Sequence, residues 1–546
     1  MFLYSYDNLK KLSTTKEGLD YIKKFEKCYK KTYKNKPIPA LSFRTYKMFW
    51  EDGNRFKFEN EYFERRERLM LLQVLALAND KYLQDLEDIL FAICNEHTWA
   101  LPAHNVTIDL GCAETASALS ETAYILKEKL SPVLYNKIYS ILKEKIVNEF
   151  ENVDFWWNHA QNNWASVCAS GVGITYLYLF PERFESVKDK LFKIFNNFLD
   201  GFDNEGYCYE GVAYWEYGFS QFCLFFDVYE KLLGIRPDFI DSDKVKNILK
   251  YPLNAKMGSN VYLPFADGGV KKWKSISQYY YVVKSLYNNE FSLGKLPLTL
   301  PSRKVLGLTG MHRAFNNSYE MSDIANEKSI FYKQAQVFIR KRKNYSFAVK
   351  GGDNEEFHNH NDLGAFQIVK NDRRLICDFG VGTYTKQYFG KVEERYEIFA
   401  CNSLSHSVPI IDGKLQAFGK RYNATVLENG EDFITLDIKN AYENPPKKLT
   451  VKYQTDEQLV SVDYSIEGLE NKVSFHFVSD YKPTVKKGGV VIKDLKITND
   501  IGVIPKIQKH VEYFRTGEKK IAYLLDYEVS NVKDINASFK FEIMGK

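Results

Sequence analysis

From about residue 56 to residue 300, apolar positions recur at intervals of three and four. In FERRERLMLLQVLALANDKYLQDLEDILFAICNE they include Leu69, Leu72, Val74, Leu75 and Leu77, the spacing of helices that bury one face. Similar stretches at 113–130, 132–150, 164–179, 184–199 and 211–233 predict helix after helix, joined by short loops and without convincing strands. Stacked helical hairpins follow, and a bundle, a solenoid and a toroid all satisfy the pattern. No fixed-period motif identifies a known repeat.

After about Gly310 the period becomes two. Leu449, Val451 and Tyr453 alternate with polar residues, as do Val460, Val462 and Tyr464, and Phe539, Phe541 and Ile543. Turn signals at Asn429-Gly430, Lys487-Gly488-Gly489 and Asn499-Asp500 separate such runs. Successive alternating strands predict a large antiparallel sandwich. The stretch 288–303 carries Pro297 and Pro301, which places the boundary there. The expected architecture is α then β, with a helical domain over 1–300 and an antiparallel β-sandwich over 301–546.

Composition narrows the functional classes. A chain of 546 residues is too long for one ordinary core at roughly 100–200 residues per domain. Lys and Arg number 75 against 70 Asp and Glu. That small surplus on a long chain is no nucleic-acid footprint, and it leaves room for a small anionic partner. Aromatic residues make up 15%, with 38 Tyr and 39 Phe, which suits core packing and sugar stacking alike. The eight cysteines are scattered without a CxxC pair and read as reduced, buried thiols. The N-terminal MFLYSYDNLKKLSTTKEGLD lacks the three regions of a secretory leader. No apolar run reaches the ~18 residues of a membrane span. A soluble, cytoplasmic protein with no membrane partner is expected, and a homo-oligomer is compatible with all of this.

Three clusters carry candidate chemistry. In GGDNEEFHNHNDLGAF (351–366), a strand would project His358, His360 and Asp362 from one face. Asp378 ends the run LICD, and His406 lies in NSLSHSVPIIDG. Two imidazoles and a carboxylate on neighbouring strands would make a three-ligand zinc site, against which stands an ordinary hydrogen-bonded His pair. In FWWNHAQNNWASVCASGVG (155–173), Asn162 reads as a helix N-cap, whereas a second amide followed by Trp suggests a glycan groove. In DNEGYCYEGVAYWEYGFSQF (203–222), Gly211 opening a helix would put Tyr214 and Tyr217 on one face beside Glu210. A core face explains most of these tyrosines. An acid or base among them needs nearby cations to act at neutral pH. No phosphate loop, GxSxG or HExxH is present, and no organic cofactor is expected.

In this order on an α-then-β chain, the clusters resemble the heparinase II/III-like family of polysaccharide lyases. NNWASVC, GYCYEGVAYWEYG, HNHNDLGAFQIVKNDRRLICDFGVGTYT and HSVPIIDGKLQ are each similar to a family segment, and the motifs run from about Trp99 to His406. The resemblance implies an (α/α) toroid of helical hairpins followed by a large antiparallel β-sandwich, with the active site in the cleft between them. It also implies β-elimination on a uronate-containing poly- or oligosaccharide, glycosaminoglycan-like, leaving a 4,5-unsaturated uronate end. Carried over by position, Asn163 and His358 would neutralise the uronate carboxylate. Tyr214 would be base, acid or both, with Tyr217 the alternative occupant of that role and His358 an alternative base for one C5 epimer. Asn162, Trp164, Glu210, Tyr217, Tyr384 and Arg395 would contact substrate. Zn²⁺ with a structural role would be held by His360, Asp378 and His406. His104, Trp157 and His159 are further candidates for lining the groove. Two other readings remain open. One is a non-catalytic glycan-binding protein on a lyase scaffold, and the other is a glycoside hydrolase using carboxylates such as Glu210 and Asp203.

Overall fold

The computed structural model describes residues 4–268, 282–283, 285–287, 308, 327–513 and 519–545. The chain forms two compact units. One comprises Met1–Gly201, Tyr214–Ser242 and Lys274–Ser322; the other comprises Phe202–Ala213, Asp243–Trp273 and Asp323–Lys546. The boundary expected within 288–303 lies outside the described residues.

The first unit is helical. Helices Phe56–Ala78, Leu83–Cys94, Leu110–Ile125, Asn163–Leu179 and Pro181–Asp200 match the sequence pattern within a few residues. The helix expected over 132–150 runs as Pro132–Leu142, then passes through a π turn at Lys143–Asn148. Leu69, Leu72, Val74, Leu75 and Leu77 are all buried. Helix Phe56–Ala78 also buries Arg65 and Arg66. Burying such charges without partners would be prohibitive, and both pair with Glu96 at 2.9 and 2.6 Å. The Arg66 guanidinium also lies 3.5 Å from the centre of the Tyr62 ring. Helices Leu110–Ile125 and Asn163–Leu179 touch through their backbones at Gly171, where a Cβ would stand 2.2 Å from the Ala113 carbonyl oxygen. Much of the phenylalanine excess is core, as in the stack of Phe195 on Phe225 with centroids 4.8 Å apart.

The second unit is mainly antiparallel β. An eight-stranded sheet runs in the order Thr484–Lys486, Gly489–Ile492, Leu495–Asn499, Asp534–Ile543, Leu459–Glu467, Lys448–Thr455, Phe433–Asp437, Thr425–Asn429. A five-stranded sheet (Lys328–Tyr332, Val337–Lys341, Ser346–Lys350, Phe366–Lys370, Arg373–Ile376) and a four-stranded one (Lys506–Tyr513, Lys519–Ser530, Lys472–Ser479, Pro409–Ile411) bring the large sheets to three, and Asp353–Asn354 pairs with Gly419–Asn423 in a two-stranded one. One shared core joins the three sheets and contains Val451, Val462, Phe541, Phe347, Phe366 and Phe477. The alternation read from sequence is observed: strand Lys448–Thr455 buries Leu449, Val451 and Tyr453 and leaves Lys448, Thr450 and Lys452 only part-buried. Asn429-Gly430 and Lys487-Gly488 stand at the expected reversals. All eight cysteines are free, and all but Cys28 are buried.

Candidate active site and metal centre

The segment carrying His358, His360 and Asp362 is not a strand. After the two-residue strand Asp353–Asn354 it is a loop, until strand Phe366–Lys370 begins. Glycines and short polar side chains satisfy their backbone locally instead of in a ladder. Asn359 N donates to Glu356 O and Ala365 N to Asp362 O, and His358 adopts a left-handed φ of 57°. A non-glycine residue there stores about 1–3 kcal/mol of strain, which its surroundings must offset.

What gathers the histidines is Asp267, in the short turn Ala266–Gly268 of the same unit. Its Oδ2 lies 2.6 Å from His358 Nδ1 and its Oδ1 3.0 Å from His360 Nε2, and Oδ1 also accepts from the Tyr388 hydroxyl. Arg395 Nη2 stands 3.5 Å from Oδ2 and donates to Asn359 O at 3.1 Å. An ionised carboxylate only accepts, so both imidazoles present N–H to it. His358 therefore has Nε2 on its other side, 3.3 Å from Glu210 Oε1. Burial works to raise the Asp267 carboxyl, but the hydrogen bonds from His358 and His360 outweigh it and hold the group well below the carboxylate range. Burial, reinforced by Asp267, pushes the Tyr388 hydroxyl far up, so that it stays a donor. The Arg395 guanidinium lies 4.3 Å from the centre of the Tyr388 ring, which also packs against Tyr384 with centroids 4.8 Å apart.

Beside this hub, ligand atoms of Asp362, Asp378 and His406 all lie within 4.8 Å of one another, and all three residues are buried. Asp378 follows strand Arg373–Ile376, and His406 follows the turn Ser403–Ser405. Asp362 Oδ2, both Asp378 oxygens, both His406 nitrogens and His360 Nδ1 are buried without a hydrogen-bond partner among the described residues. His406 Nδ1 nevertheless stands 3.0 Å from Asp378 Oδ1. The His360 and His406 rings are 5.2 Å apart between centroids. Orphaned buried acceptors are costly, and a cation satisfies several at once. The donors present, carboxylate oxygen and imidazole nitrogen, suit zinc. The bond from His360 Nε2 to Asp267 is the kind of outer contact that orients a ligating imidazole. Lys350 partly neutralises the site, 2.8 Å from Asp362 Oδ1 and 3.3 Å from Glu356 Oε2. Burial pushes the Glu356 carboxyl up to about 7 against the pull of Lys350.

In the first unit, Asn162 caps helix Asn163–Leu179, accepting from Trp164 N at 3.1 Å. Asn163 is buried in the first turn, and Gly218 lets helix Val212–Leu233 approach it closely: a Cβ on Gly218 would lie 3.1 Å from Asn163 Cβ. Tyr214 and Tyr217 are part-buried, one turn apart on that helix, after Gly211 at φ 86°. Tyr217 donates its hydroxyl proton to Glu114. Trp164 packs against Trp156 and His104, with centroids 4.9 and 4.7 Å away. His104 Nδ1 is anchored 2.6 Å from Asp109.

Residues 326–504 match the family model described as heparinase II/III-like, C-terminal. That part of the chain is a heparinase II/III-like domain. Among solved structures, the chain is similar to heparinase III at 12% identity, over 97% of this chain and 92% of that one, with a TM-score of 0.65. It is similar to the heparan sulfate lyase HepC from Pedobacter heparinus at 13%, over 96% and 87%, with a TM-score of 0.60. It is also similar to the Streptomyces coelicolor A3 chondroitin AC lyase in complex with chondroitin sulphate at 10%, over 99% and 83%, with a TM-score of 0.58. No curated protein matches the chain in sequence. At these identities the likeness is one of fold: helical hairpins of the α/α-toroid kind, then an antiparallel β-sandwich.

The sequence-derived candidates come together unevenly. His358, His360 and Arg395 meet at Asp267, which no motif announced: it stands in FADGG, 91 residues before His358. Tyr388 and Lys350 were missed as well, the first for want of any pattern and the second because it reads as the polar end of strand Ser346–Lys350. Asp378 and His406 are together with Asp362, whereas the expected ligand set placed His360 with them and read Asp362 only as sharing a strand face with His358 and His360, in a segment that is a loop. Trp157, a candidate for lining the groove, is core instead and 0% exposed. Trp157 is sandwiched by Phe150 and Phe155 and donates to Ile108 O. Trp156, 47% exposed, is the accessible indole of that pair. His159 is exposed and bound to Asp154 at 2.9 Å. Asp203 is buried, accepts from Tyr207 N at 2.7 Å and is pushed up to about 6 by burial, so it serves a turn.

Among the described residues, no helix is long and apolar enough to cross a membrane.

Proposed function

We propose that the chain is a polysaccharide lyase that cleaves uronate-containing, glycosaminoglycan-like glycans by β-elimination. The observation that carries the reading is His358, fixed at Nδ1 by a buried carboxylate, with Nε2 on its other side, inside a heparinase II/III-like domain. In the proposed reaction His358, carrying a second proton on Nε2, and Asn163 neutralise the uronate carboxylate, making the C5 proton removable. Donors aimed at developing charge are worth about 10²–10³ in rate. Tyr214, in its phenolate form, takes the C5 proton, the C5–H electrons form the C4=C5 bond, and the C4–O4 bond breaks as the Tyr214 hydroxyl passes that proton to O4. Tyr217, whose hydroxyl donates to Glu114, is the alternative occupant of that role. Asn162, Trp164, Glu210, Tyr384 and Arg395 are proposed to border the substrate, and residues 1–300 and 301–546 are proposed as its two domains.

Zinc is proposed as a structural ion held by Asp378 and His406 with Asp362 and His360. When bound it supplies positive charge that satisfies the buried donors and fixes the loops bearing them. Elemental analysis should find about one equivalent per chain; metal-free protein with unchanged thermal stability after chelation would reject it.

The activity test is absorbance at roughly 230–240 nm, where 4,5-unsaturated uronates absorb, over a panel of heparan, chondroitin, hyaluronan and plant or bacterial uronic glycans. Product from at least one glycan, abolished by Tyr214→Phe, is expected. Cleavage with water incorporation and no unsaturated end, or no cleavage at all, overturns the proposal.

A further inference from the structure

In the β unit a pocket of about 420 Å³ opens beside the edge strand Thr484–Lys486 of the eight-stranded sheet. Its wall includes Lys486 from that strand, Lys482 just before it, Lys493 from the turn between Gly489–Ile492 and Leu495–Asn499, and Tyr523 from strand Lys519–Ser530 of the four-stranded sheet. None of the three lysines forms an ion pair among the described residues, and all three are exposed. The lone carboxylate in the wall, Asp480, is engaged by Arg374 at 2.9 Å, so it does not cancel them. Lys493 Nζ lies 5.5 Å from the centre of the Tyr481 ring, which forms part of the same wall.

Three cations without counter-ions and two phenol rings, around a volume that holds one or two sugar rings, make a recognisable combination. Lysines along an edge strand also discourage edge-to-edge pairing, yet that role requires neither a concavity nor rings facing it. We infer that this pocket is a non-catalytic binding site for an acidic saccharide, the lysines taking carboxylate or sulfate groups and Tyr481 and Tyr523 the apolar sugar face. The ligand class rests on the lyase reading, but the site does not share residues with the proposed active site. It would hold a polyanionic chain on the enzyme between cleavages.

The test is calorimetric titration of the full chain, carrying Tyr214→Phe to suppress turnover, with a chondroitin sulfate hexasaccharide, a neutral cellohexaose and inorganic sulfate. Binding by the hexasaccharide that weakens with salt and falls at least tenfold in the Lys482→Ser/Lys486→Ser/Lys493→Ser variant is expected, with a smaller loss in Tyr481→Ala. Equal binding by cellohexaose, binding by sulfate alone, no binding, or affinity unchanged in the triple-lysine variant overturns the inference. Turnover by the triple-lysine variant in an otherwise unaltered chain is read separately. Absence of lyase activity there and in the parent would condemn the catalytic reading while leaving the binding result standing.

Discussion

Replacing Asp267 with asparagine tests the core of the proposed site. The carboxylate accepts from His358, His360 and Tyr388 and has Arg395 at 3.5 Å. Asparagine keeps one acceptor, enough for His360 and Tyr388, but an NH₂ group then faces the His358 Nδ1–H. Either two donors oppose each other, or His358 gives up its Nδ1 proton and accepts from the amide. In the first case a charge-assisted bond is lost and Arg395 loses its counter-charge, together about 2–4 kcal/mol of stability. In the second the fold is largely spared, but the imidazole has lost the positive charge proposed to neutralise the substrate carboxylate. An aspartate-to-asparagine exchange behind a catalytic imidazole lowers turnover by about 10⁴ in serine proteases. Because His358 is one of several proposed contributors, a loss of about 10²–10⁴ in kcat is expected here. Initial rates from ultraviolet absorbance, together with a melting temperature for each variant, separate the two effects. Asp267→Asn and Asp267→Ala proteins that both turn over within about threefold of the parent, with unchanged melting, would refute the reasoning.

Three further outcomes are expected. Gly218→Ala forces a Cβ to 2.9 Å from Phe198 and 3.1 Å from Asn163, so activity should fall with a stability loss of about 1–3 kcal/mol; Gly171→Ala, blocked by the Ala113 backbone, should give little folded protein, and normal expression of it would contradict the packing. Tyr217→Phe should retain most activity while losing about 1–3 kcal/mol with the Glu114 bond, whereas Tyr214→Phe should be inactive; the reverse order would exchange their roles. Burial, aided by Lys328 and Lys256, depresses Lys341 to about 7. Its folded pKa is then below its unfolded one, so the folded state binds fewer protons between them and this group's contribution to stability rises with pH by up to about 1.4 kcal/mol per unit from about 7 to 10.5. Melting profiles of the parent and Lys341→Met should therefore converge toward alkaline pH, and a constant gap would reject the shift.

The elements were legible because each follows from a local period. Leu69–Leu77 repeats as a helix must and Leu449–Tyr453 alternates as a strand must, and both bury the residues their period selects. Asn162 was legible as a cap because capping is also local. The HNHND segment was misread as a strand because spacing two fits a strand face, while the turn bonds that actually hold it depend on Glu356 and Gly364. Trp156 and Trp157 are adjacent and chemically identical, yet one is exposed and the other packed between phenylalanines. Only tertiary packing distinguishes them. Asp267 was invisible for the same reason: its role exists only once the chain has brought it to the two histidines.

That arrangement also sets what could be moved to another scaffold. The HNHND loop would carry His358 and His360 into a new sandwich, but not the carboxylate that selects their tautomers, nor the turn at Ala266, which has a φ of 56°. Transplanted alone, the loop would deliver two imidazoles free to rotate and to exchange protons. The smallest portable piece is the loop together with 266–268 and Tyr388, three segments that a graft must reproduce in space although they are scattered in sequence.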